Sequence, residues 1–455
     1  MRDLVFVAFL AAMFALGLKR PFILILTYAY IDIVSPQRLT YILLNSVPIS
    51  LIAFVAAVAA WLAFDDKRDT RLSRRQGILL LLLGYCGYTT WYADFPIDAL
   101  HKWDWVWKAL VFAIFLPLTL RTKLRIEALS LVMVLCASSI IITGGIKTAL
   151  SGGGYGVLNL MVENNSGLYE GSIISTVAIC IIPLILYLAK HGTIFPPDWR
   201  VKGFAYALCL ACLLIPVGTE ARTGLICVAV LGGLMFLQVK RKLLFGALAA
   251  LAVLGSIPFL PASFTSRMDT ISNYQGDESA STRLAVWQWT IDYANRHPLG
   301  GGFDAYRQNS FRYQTVSKTV APNGDVSVEH MIVVDKARAY HSSYFEMLGE
   351  QGYVGLTLWL ILHLGTVIQT GRIRRRYRNT TEPGKQWIAP YAQALSQGHI
   401  IYLIGCFFVG IAFQPFVFML IALQIALTTY LRRIEQVERW QPILPGLAPQ
   451  TVAGN

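Results

Sequence analysis

Three arginines and one histidine are the residues of this chain whose types and spacing point most clearly to chemistry. Residues 261–340 form a long polar segment, and His341 follows it directly at the start of an apolar run. Arg283 and Arg338 lie inside that segment, and Arg222 lies in a short turn between two apolar runs. Guanidinium groups hold phosphate oxygens through paired charge-assisted hydrogen bonds, and a neutral imidazole accepts a proton. The pattern therefore predicts an anion-binding site with a general base.

His341 begins the sequence HSSYFEMLGE, which predicts a position at the N-terminus of an apolar helix. The partial positive charge of a helix N-terminus disfavours imidazolium, so the ring would stay neutral and available as a base. A histidine at the membrane interface that only caps the helix explains the same position. The sequence leaves both interpretations open.

The elements that must position these residues belong to a membrane protein. The chain of 455 residues is 55% hydrophobic and 14% charged, with a mean hydropathy of +0.53, outside the balance of soluble domains. Apolar runs near the roughly 20 residues that span a bilayer recur throughout. They cover 3–18, 21–34, 47–64, 76–92, 106–120, 126–143, 169–189, 202–218, 223–239, 243–260, 341–369, 397–412 and 415–431. We predict an all-α polytopic fold with about twelve transmembrane helices; the short first two runs leave the N-terminal orientation unassigned.

Charge predicts which loops face the cytoplasm. Alternate loops contain 25 Lys and Arg against 8 Asp and Glu, whereas the rest of the chain contains 14 and 18. The basic loops cover 19–20, 65–75, 121–127, 190–202, 240–242, 372–385 and 432–439. They are expected on the cytoplasmic side, so residues 261–340, with eight acidic and eight basic residues, are expected outside. The pI of about 9.4 then reflects topology, and a nucleic-acid partner is not expected.

Four regions follow from this pattern. They are N-terminal transmembrane helices over 1–260, an extramembrane loop over 261–340, C-terminal transmembrane helices over 341–432 and a cytoplasmic tail over 433–455.

Within the loop, residues 279–297 predict an amphipathic helix that lies on the membrane interface and presents Arg283. Its apolar stripe is expected to contain Leu284, Trp287, Ile291 and Ala294.

Arg222 lies in the turn TEARTG (219–224), on the side where positive charge is otherwise depleted. Many arginines at helix ends only extend their charge to the interface. However, ionised groups in a very short turn between apolar spans are usually functional. We interpret Arg222 and Arg283 as a pair that binds a diphosphate, and Arg338, three residues before His341, as a third candidate.

Glu163, Asn164 and Asn165 follow the glycine-rich sequence SGGGYG (151–156) and precede an apolar run. They fit hydrogen bonding to sugar hydroxyls and capping of the next helix equally well. The seven cysteines all fall in apolar runs and form no metal or disulfide pattern. Since the sequence also lacks Asp-x-Asp, phosphate-loop, dinucleotide and zinc-helix motifs, no metal and no nucleotide cofactor is expected.

Four motifs in this order resemble the O-antigen ligase superfamily over roughly residues 150–430. They are TEARTG (219–224), STRLAVWQW (281–289), HPLGGGF (297–303) and HSSYFEMLGEQGYVG (341–355). The superfamily includes O-antigen ligases, O-antigen polymerases and bacterial protein O-oligosaccharyltransferases. Members commonly have a Ser-Arg-Gly-like motif where this chain has Ala221-Arg222-Thr223-Gly224, so the arginine matches and its neighbours match only partly.

The resemblance implies a GT-C-like helical fold in the bacterial inner membrane, with the large loop and the active site on the periplasmic side. It implies an inverting, metal-independent glycosyltransferase that uses a glycan carried on undecaprenyl diphosphate. Carried over by motif, His341 is the base and Arg222 and Arg283 bind the diphosphate. The sequence Glu163-Asn164-Asn165 also resembles a pattern of O-glycosylation ligases associated with exosortase systems.

Three acceptors are possible within the superfamily: lipid A-core for a ligase, a second glycan unit for a polymerase, and Ser or Thr of a protein for an oligosaccharyltransferase. The ligase is favoured, because the loop is compact and no feature suggests a pilin-binding appendage. A secondary transporter is the alternative from another class. Transporters are expected to have inverted repeats and polar residues near mid-membrane, whereas these polar residues cluster at the outer face.

Overall fold

The computed structural model describes residues 2–67, 70–150, 167–256, 278–320 and 326–439, which are mostly helical. The N-terminal helices are α1 (Arg2–Lys19), α2 (Phe22–Val34), α3 (Pro36–Leu39), α4 (Ile49–Phe64), α5 (Arg74–Trp91), α6 (Pro96–Thr119), α7 (Lys123–Leu150), α8 (Gly171–His191), α9 (Trp199–Gly218), α10 (Arg222–Phe236) and α11 (Lys242–Ser256). The remaining helices are α12 (Glu278–Arg296), α13 (Ser343–Tyr377), α14 (Ile388–Gly405) and α15 (Pro415–Arg439), with short 3-10 turns at Gly167–Tyr169 and Ala305–Gln308. Each apolar run named above overlaps a helix of the described residues.

Within the described residues, five helices are long and apolar enough to cross a membrane: α7, α8, α9, α13 and residues Pro415–Gln436 of α15. The helices α2, α4 and α10 are apolar but shorter. The chain is thus consistent with a polytopic membrane protein, and the larger number of about twelve crossings stays a prediction.

The helices alternate in direction, so that one end of the bundle collects the residues of interest. The hydroxyls of Ser175 at the start of α8 and Thr219 after α9 are 2.8 Å apart. The Ser343 N–H at the start of α13 donates to the Cys406 carbonyl after α14 at 2.8 Å. We call this the site end. The opposite end, where α8, α10 and α13 finish and α14 begins, carries the basic loops, and we call it the basic end.

A backbone break in α13 anchors the HPLGGGF loop. At Gly352 the chain has φ 62° and ψ −167°, which interrupts the helix and releases carbonyl groups from their usual partners. Gly301 and Gly302 donate their N–H groups to the carbonyls of Gly349 and Glu350 at 3.1 and 2.9 Å. A Cβ on Gly300, at φ +89°, would lie 2.4 Å from the Glu350 oxygen, so this close backbone approach requires glycine.

The all-α prediction is wrong for one part of the loop. Strands β1 (Ser310–Val320) and β2 (Val326–Lys336) pair antiparallel in register from Ser310 opposite Lys336 to Val320 opposite Val326. β1 contains Val and Thr and β2 contains Val and Ile, whose branched side chains favour a pleated strand. The sequence between them contains Pro-Asn-Gly-Asp, a turn signal. Hydropathy averaged over membrane-length windows does not detect such a short hairpin.

The predicted helix at 279–297 is confirmed as α12, but its buried face coincides only in part with the predicted stripe. Of the predicted stripe, Ala294 is buried as expected and Trp287 is half-buried, but Leu284 and Ile291 are exposed. The rest of the buried face consists of Val286, Thr290 and Tyr293. The polar atoms of this face find partners: the Tyr293 hydroxyl donates to Asp94 and the Thr290 hydroxyl to the Val286 carbonyl. A prediction from apolar residues alone misplaces part of a face that buries hydrogen-bonded tyrosine and threonine.

Candidate functional site

His341 lies in a short backbone segment, residues 337–342, that connects β2 to α13. Ala337 and His341 both adopt left-handed backbone conformations, with φ of 58° and 48°. Side-chain-bearing residues rarely adopt this conformation, and it persists only where surrounding contacts fix it. Here the contacts come from the buried Asn309, whose side chain accepts from the Arg338 N–H at 2.8 Å and donates to the Arg338 carbonyl at 2.7 Å. The segment therefore holds His341 in a defined position.

The other side of this segment is held by α12. The Trp287 indole N–H donates to the Tyr340 carbonyl at 2.9 Å, one residue before His341. The indole also stacks on Phe345 of α13, with ring centroids 4.8 Å apart, and meets Phe407 edge-on at 5.4 Å. Arg283 lies one helical turn before Trp287, on the same face of α12. The contacts of Trp287 thus bring Arg283 towards His341.

The environment of His341 favours a neutral ring. The imidazole has an accessible edge, but the protein around it lowers its pKa from the ordinary value, and the positive charges of Arg283 and Arg338 lower the pKa further. The helix begins only at Ser343, so His341 lies before the N-cap and does not open the helix as expected. The expected neutral imidazole is supported, but its causes are desolvation and neighbouring arginines.

Arg338 is a less direct ligand candidate than its spacing suggests. Its side chain forms an ion pair with Asp335 and is 44% exposed. Its charge nevertheless lowers the pKa of His341. The structure therefore assigns to Arg338 an electrostatic effect on the ring, and its predicted binding of a diphosphate stays a prediction.

Arg222 is the first residue of α10, at the same end of the bundle. The turn before it is tight: Glu220 has a φ of 53°, and a Cβ on Gly224 would lie 2.7 Å from Pro216. The N-cap residue Ala221 provides no side-chain cap, so the first turn combines helix N–H groups with a guanidinium. Such an arrangement favours an anion.

The C-terminal end of α14 contacts both α10 and α13. A Cβ on Gly405, the last residue of α14, would lie 3.0 Å from Cys227 of α10, and Cys406 accepts from Ser343 of α13 at 2.8 Å. Packed helices lie roughly 8–10 Å apart, so the starts of α10 and α13 flank the end of α14. The charges of Arg283 and Arg338 act on His341. Arg222 begins α10 at the same end of the bundle, and its participation in one site with His341 stays a prediction.

A buried charge cluster next to the site was not predicted from the sequence. The Lys102 Nζ on α6 lies 2.7 Å from a Glu346 oxygen and 2.8 and 2.9 Å from the two oxygens of Glu350, both on α13. The Asp304 N–H donates to Glu350 at 3.0 Å and the Ala412 N–H donates to Glu346 at 3.1 Å. The signal in the sequence was two glutamates four residues apart in an apolar helix, where buried charge requires a partner.

The residues immediately before and after His341 both have buried hydroxyl groups. Among the described residues, the buried side chains of Tyr340 and Ser342 have hydroxyl oxygens with no hydrogen-bond partner. Buried hydroxyls usually have partners, so two unpaired ones beside a candidate base are unusual. Burial raises the pKa of the Tyr340 phenol well above its ordinary value, so this hydroxyl stays protonated and can donate.

The described part of the site combines arginine side chains, an uncapped helix start, a neutral imidazole and unpaired hydroxyls. This arrangement can bind an anionic group and remove a proton from a nearby hydroxyl. Glu163, Asn164 and Asn165 lie outside the described residues. Within those residues, no three His, Cys, Asp or Glu side chains come together as a possible metal site.

Comparison with known families agrees with the resemblance. Residues 205–360 match a family described as O-antigen ligase, and residues 1–193 match a family of unknown function, DUF5935. No curated protein matches the chain. The O-antigen ligase match contains Arg222, Arg283, Arg338 and His341. It supports a glycosyltransferase-like enzyme of the ligase or polymerase type.

Proposed function

We propose that this chain, which belongs to the O-antigen ligase superfamily, is an O-antigen ligase of the bacterial inner membrane. In this proposal an inverting, metal-independent reaction moves a glycan from undecaprenyl diphosphate to a sugar hydroxyl of lipid A-core, on the periplasmic side. The observation that carries the proposal is the neutral His341 beside Arg283, with Arg222 at an uncapped helix start of the same bundle end.

The proposed reaction is a single displacement. The acceptor hydroxyl oxygen attacks the anomeric carbon while the bond from that carbon to the diphosphate oxygen breaks, so the configuration inverts. His341 takes the hydroxyl proton, which requires the neutral ring that its lowered pKa favours. Undecaprenyl diphosphate leaves with additional negative charge, which prepositioned guanidinium groups stabilise more in the transition state than in the ground state.

The buried cluster of Lys102, Glu346 and Glu350 helps to fix the position of His341. It ties α6 to the first turns of α13, next to the segment that holds His341. A base acts only within hydrogen-bond distance of its proton, so a shift of this segment by about 1 Å would slow the reaction. We interpret these charges as positioning residues.

The experiment that tests the proposal compares His341→Ala with His101→Ala, a matched change at an exposed histidine of α6. Purified variants receive undecaprenyl-diphosphate-linked glycan together with lipid A-core, a candidate acceptor protein, or the donor alone. Loss of a general base is expected to slow transfer by about 10²–10⁴-fold, whereas His101→Ala should keep the wild-type rate.

The acceptor that becomes glycosylated decides between the members of the superfamily. Transfer to lipid A-core supports the ligase, transfer to the protein alone indicates an oligosaccharyltransferase, and elongation with the donor alone indicates a polymerase. No donor consumption with any acceptor, together with solute uptake by proteoliposomes, would support the transporter instead.

A further inference from the structure

A cavity of about 500 Å³ lies at the basic end of the bundle, far from the candidate active site. It is enclosed by the final turns of α8, α10 and α13 and the first turns of α14. Its apolar wall is formed by Pro183, Leu186, Leu231, Met235 and Pro390, among others. The cavity therefore opens where helix ends are expected to meet lipid headgroups, and it continues along surfaces suited to an acyl chain.

The rim of the cavity is basic. Lys190 and His191 at the end of α8, and Arg374 and Arg378 at the end of α13, line it, and its lining contains no Asp or Glu. Among the described residues, no carboxylate forms an ion pair with Lys190, Arg374 or Arg378. By contrast, Arg376 on the same helix pairs with Glu435 at 2.7 Å. The positive charge at the cavity is thus not compensated by the described protein.

An unpaired amide provides a second, independent observation. Gln397 lines the cavity, is only 8% exposed, and has a side-chain nitrogen without a hydrogen-bond partner among the described residues. Its neighbour one turn earlier, Gln393, donates to the side chain of Gln238. Leaving a buried amide N–H unpaired is costly, so a bound acceptor oxygen would explain why a glutamine lies here.

We propose that this cavity binds the phosphate headgroup of an anionic phospholipid. The guanidinium groups of Arg374 and Arg378 and the ammonium of Lys190 would hold the phosphate, the Gln397 amide would donate to a headgroup or ester oxygen, and the apolar wall would hold part of an acyl chain. Basic pockets between membrane helices at the cytoplasmic surface recognise anionic headgroups in this way. A soluble phosphate would use the same cations but would gain nothing from the apolar wall.

The test measures lipid binding to the full chain in detergent by native mass spectrometry. Phosphatidylglycerol and phosphatidylcholine with identical acyl chains are the probes. We expect phosphatidylglycerol to bind in preference, with affinity roughly fivefold lower in Arg374→Gln or Arg378→Gln and about thirtyfold lower in the double variant. Arg375→Gln, the same charge change on an adjacent residue outside the cavity lining, should bind like the wild type.

Gln397→Leu tests the amide separately and should also weaken phosphatidylglycerol binding. Circular dichroism and the gel-filtration profile check that each variant keeps its fold. Equal binding of the two lipids, or equal losses in Arg375→Gln and Arg374→Gln, would overturn the proposal. Displacement of phosphatidylglycerol by millimolar inorganic phosphate would also overturn it, because the cavity would then be a site for a soluble anion.

Discussion

Replacing Lys102 by methionine should destabilise the protein strongly, because its ammonium compensates two buried carboxylates. Its nitrogen lies within 2.9 Å of Glu346 and Glu350, and the Glu350 side chain has no solvent exposure. Methionine keeps the length and apolar stem of the side chain but removes the charge. Breaking a buried ion pair from one side typically costs about 3–5 kcal/mol, since the remaining charge stays buried without compensation.

The matched control is Lys108→Met, two turns further along α6. Lys108 pairs with Asp104 at 2.9 Å, but Asp104 is 69% exposed, so this pair contributes about 0.3–0.5 kcal/mol at most. A second variant, Lys102→Met with Glu350→Gln, also removes one of the two buried carboxylate charges that Lys102→Met leaves without a cation. It should recover about 2 kcal/mol of the loss.

The cysteines provide the assay. All seven are free and six are buried, so a thiol-reactive dye reports unfolding during a titration from mild detergent into dodecyl sulfate. Free energies of unfolding are compared for the wild type and the three variants. If Lys102→Met were no more destabilising than Lys108→Met, or if Glu350→Gln recovered nothing, the buried cluster would not hold α6 to α13 as described.

Three further predictions concern the site and its support. Removing a positive charge near His341 raises its pKa, so Arg338→Gln should move the acidic limb of the pH–rate profile to higher pH; an unmoved limb would mean that the charge does not reach the ring. Gly300→Ala should cost about 1–3 kcal/mol in the dye assay because of its φ of +89°, whereas Gly365→Ala in an open helical position should be neutral or stabilising. Trp287→Leu, which removes the hydrogen bond that positions the base, should lower kcat at least tenfold with a smaller change in KM, and a pure KM effect would contradict this positioning role.

Much of the fold could be predicted from the sequence, because membrane helices need long apolar runs. Each such run overlaps a helix of the described residues, and the polar helix before HPLGGGF is also present as α12. The hairpin of β1 and β2 escaped prediction since its eleven-residue strands do not resemble membrane-length segments. The face of α12 was predicted only in part, because Tyr293 and Thr290 are buried through hydrogen bonds and not through apolarity.

The candidate site could be predicted only in part. Arg283, Arg338 and His341 stood out by residue type and by their shared polar segment, and the structure brings them together. The link from Lys102 to Glu346 and Glu350 joins residues 244 and 248 positions apart, and no local pattern reveals such a contact. The same is true of Asn309 and Trp287, whose importance comes from the backbone groups that they hold near His341.

The most direct test of the proposed function measures glycan transfer from undecaprenyl diphosphate to lipid A-core by purified protein in EDTA, and compares Arg222→Gln with Arg296→Gln. Arg296 is an exposed arginine of α12 whose side chain donates to the Asp292 carbonyl. We predict transfer by the wild type and by Arg296→Gln, and a loss of about 10²–10³-fold in Arg222→Gln. Transfer by Arg222→Gln at the wild-type rate, or dependence of the wild type on added metal, would contradict the proposed arginine-based mechanism.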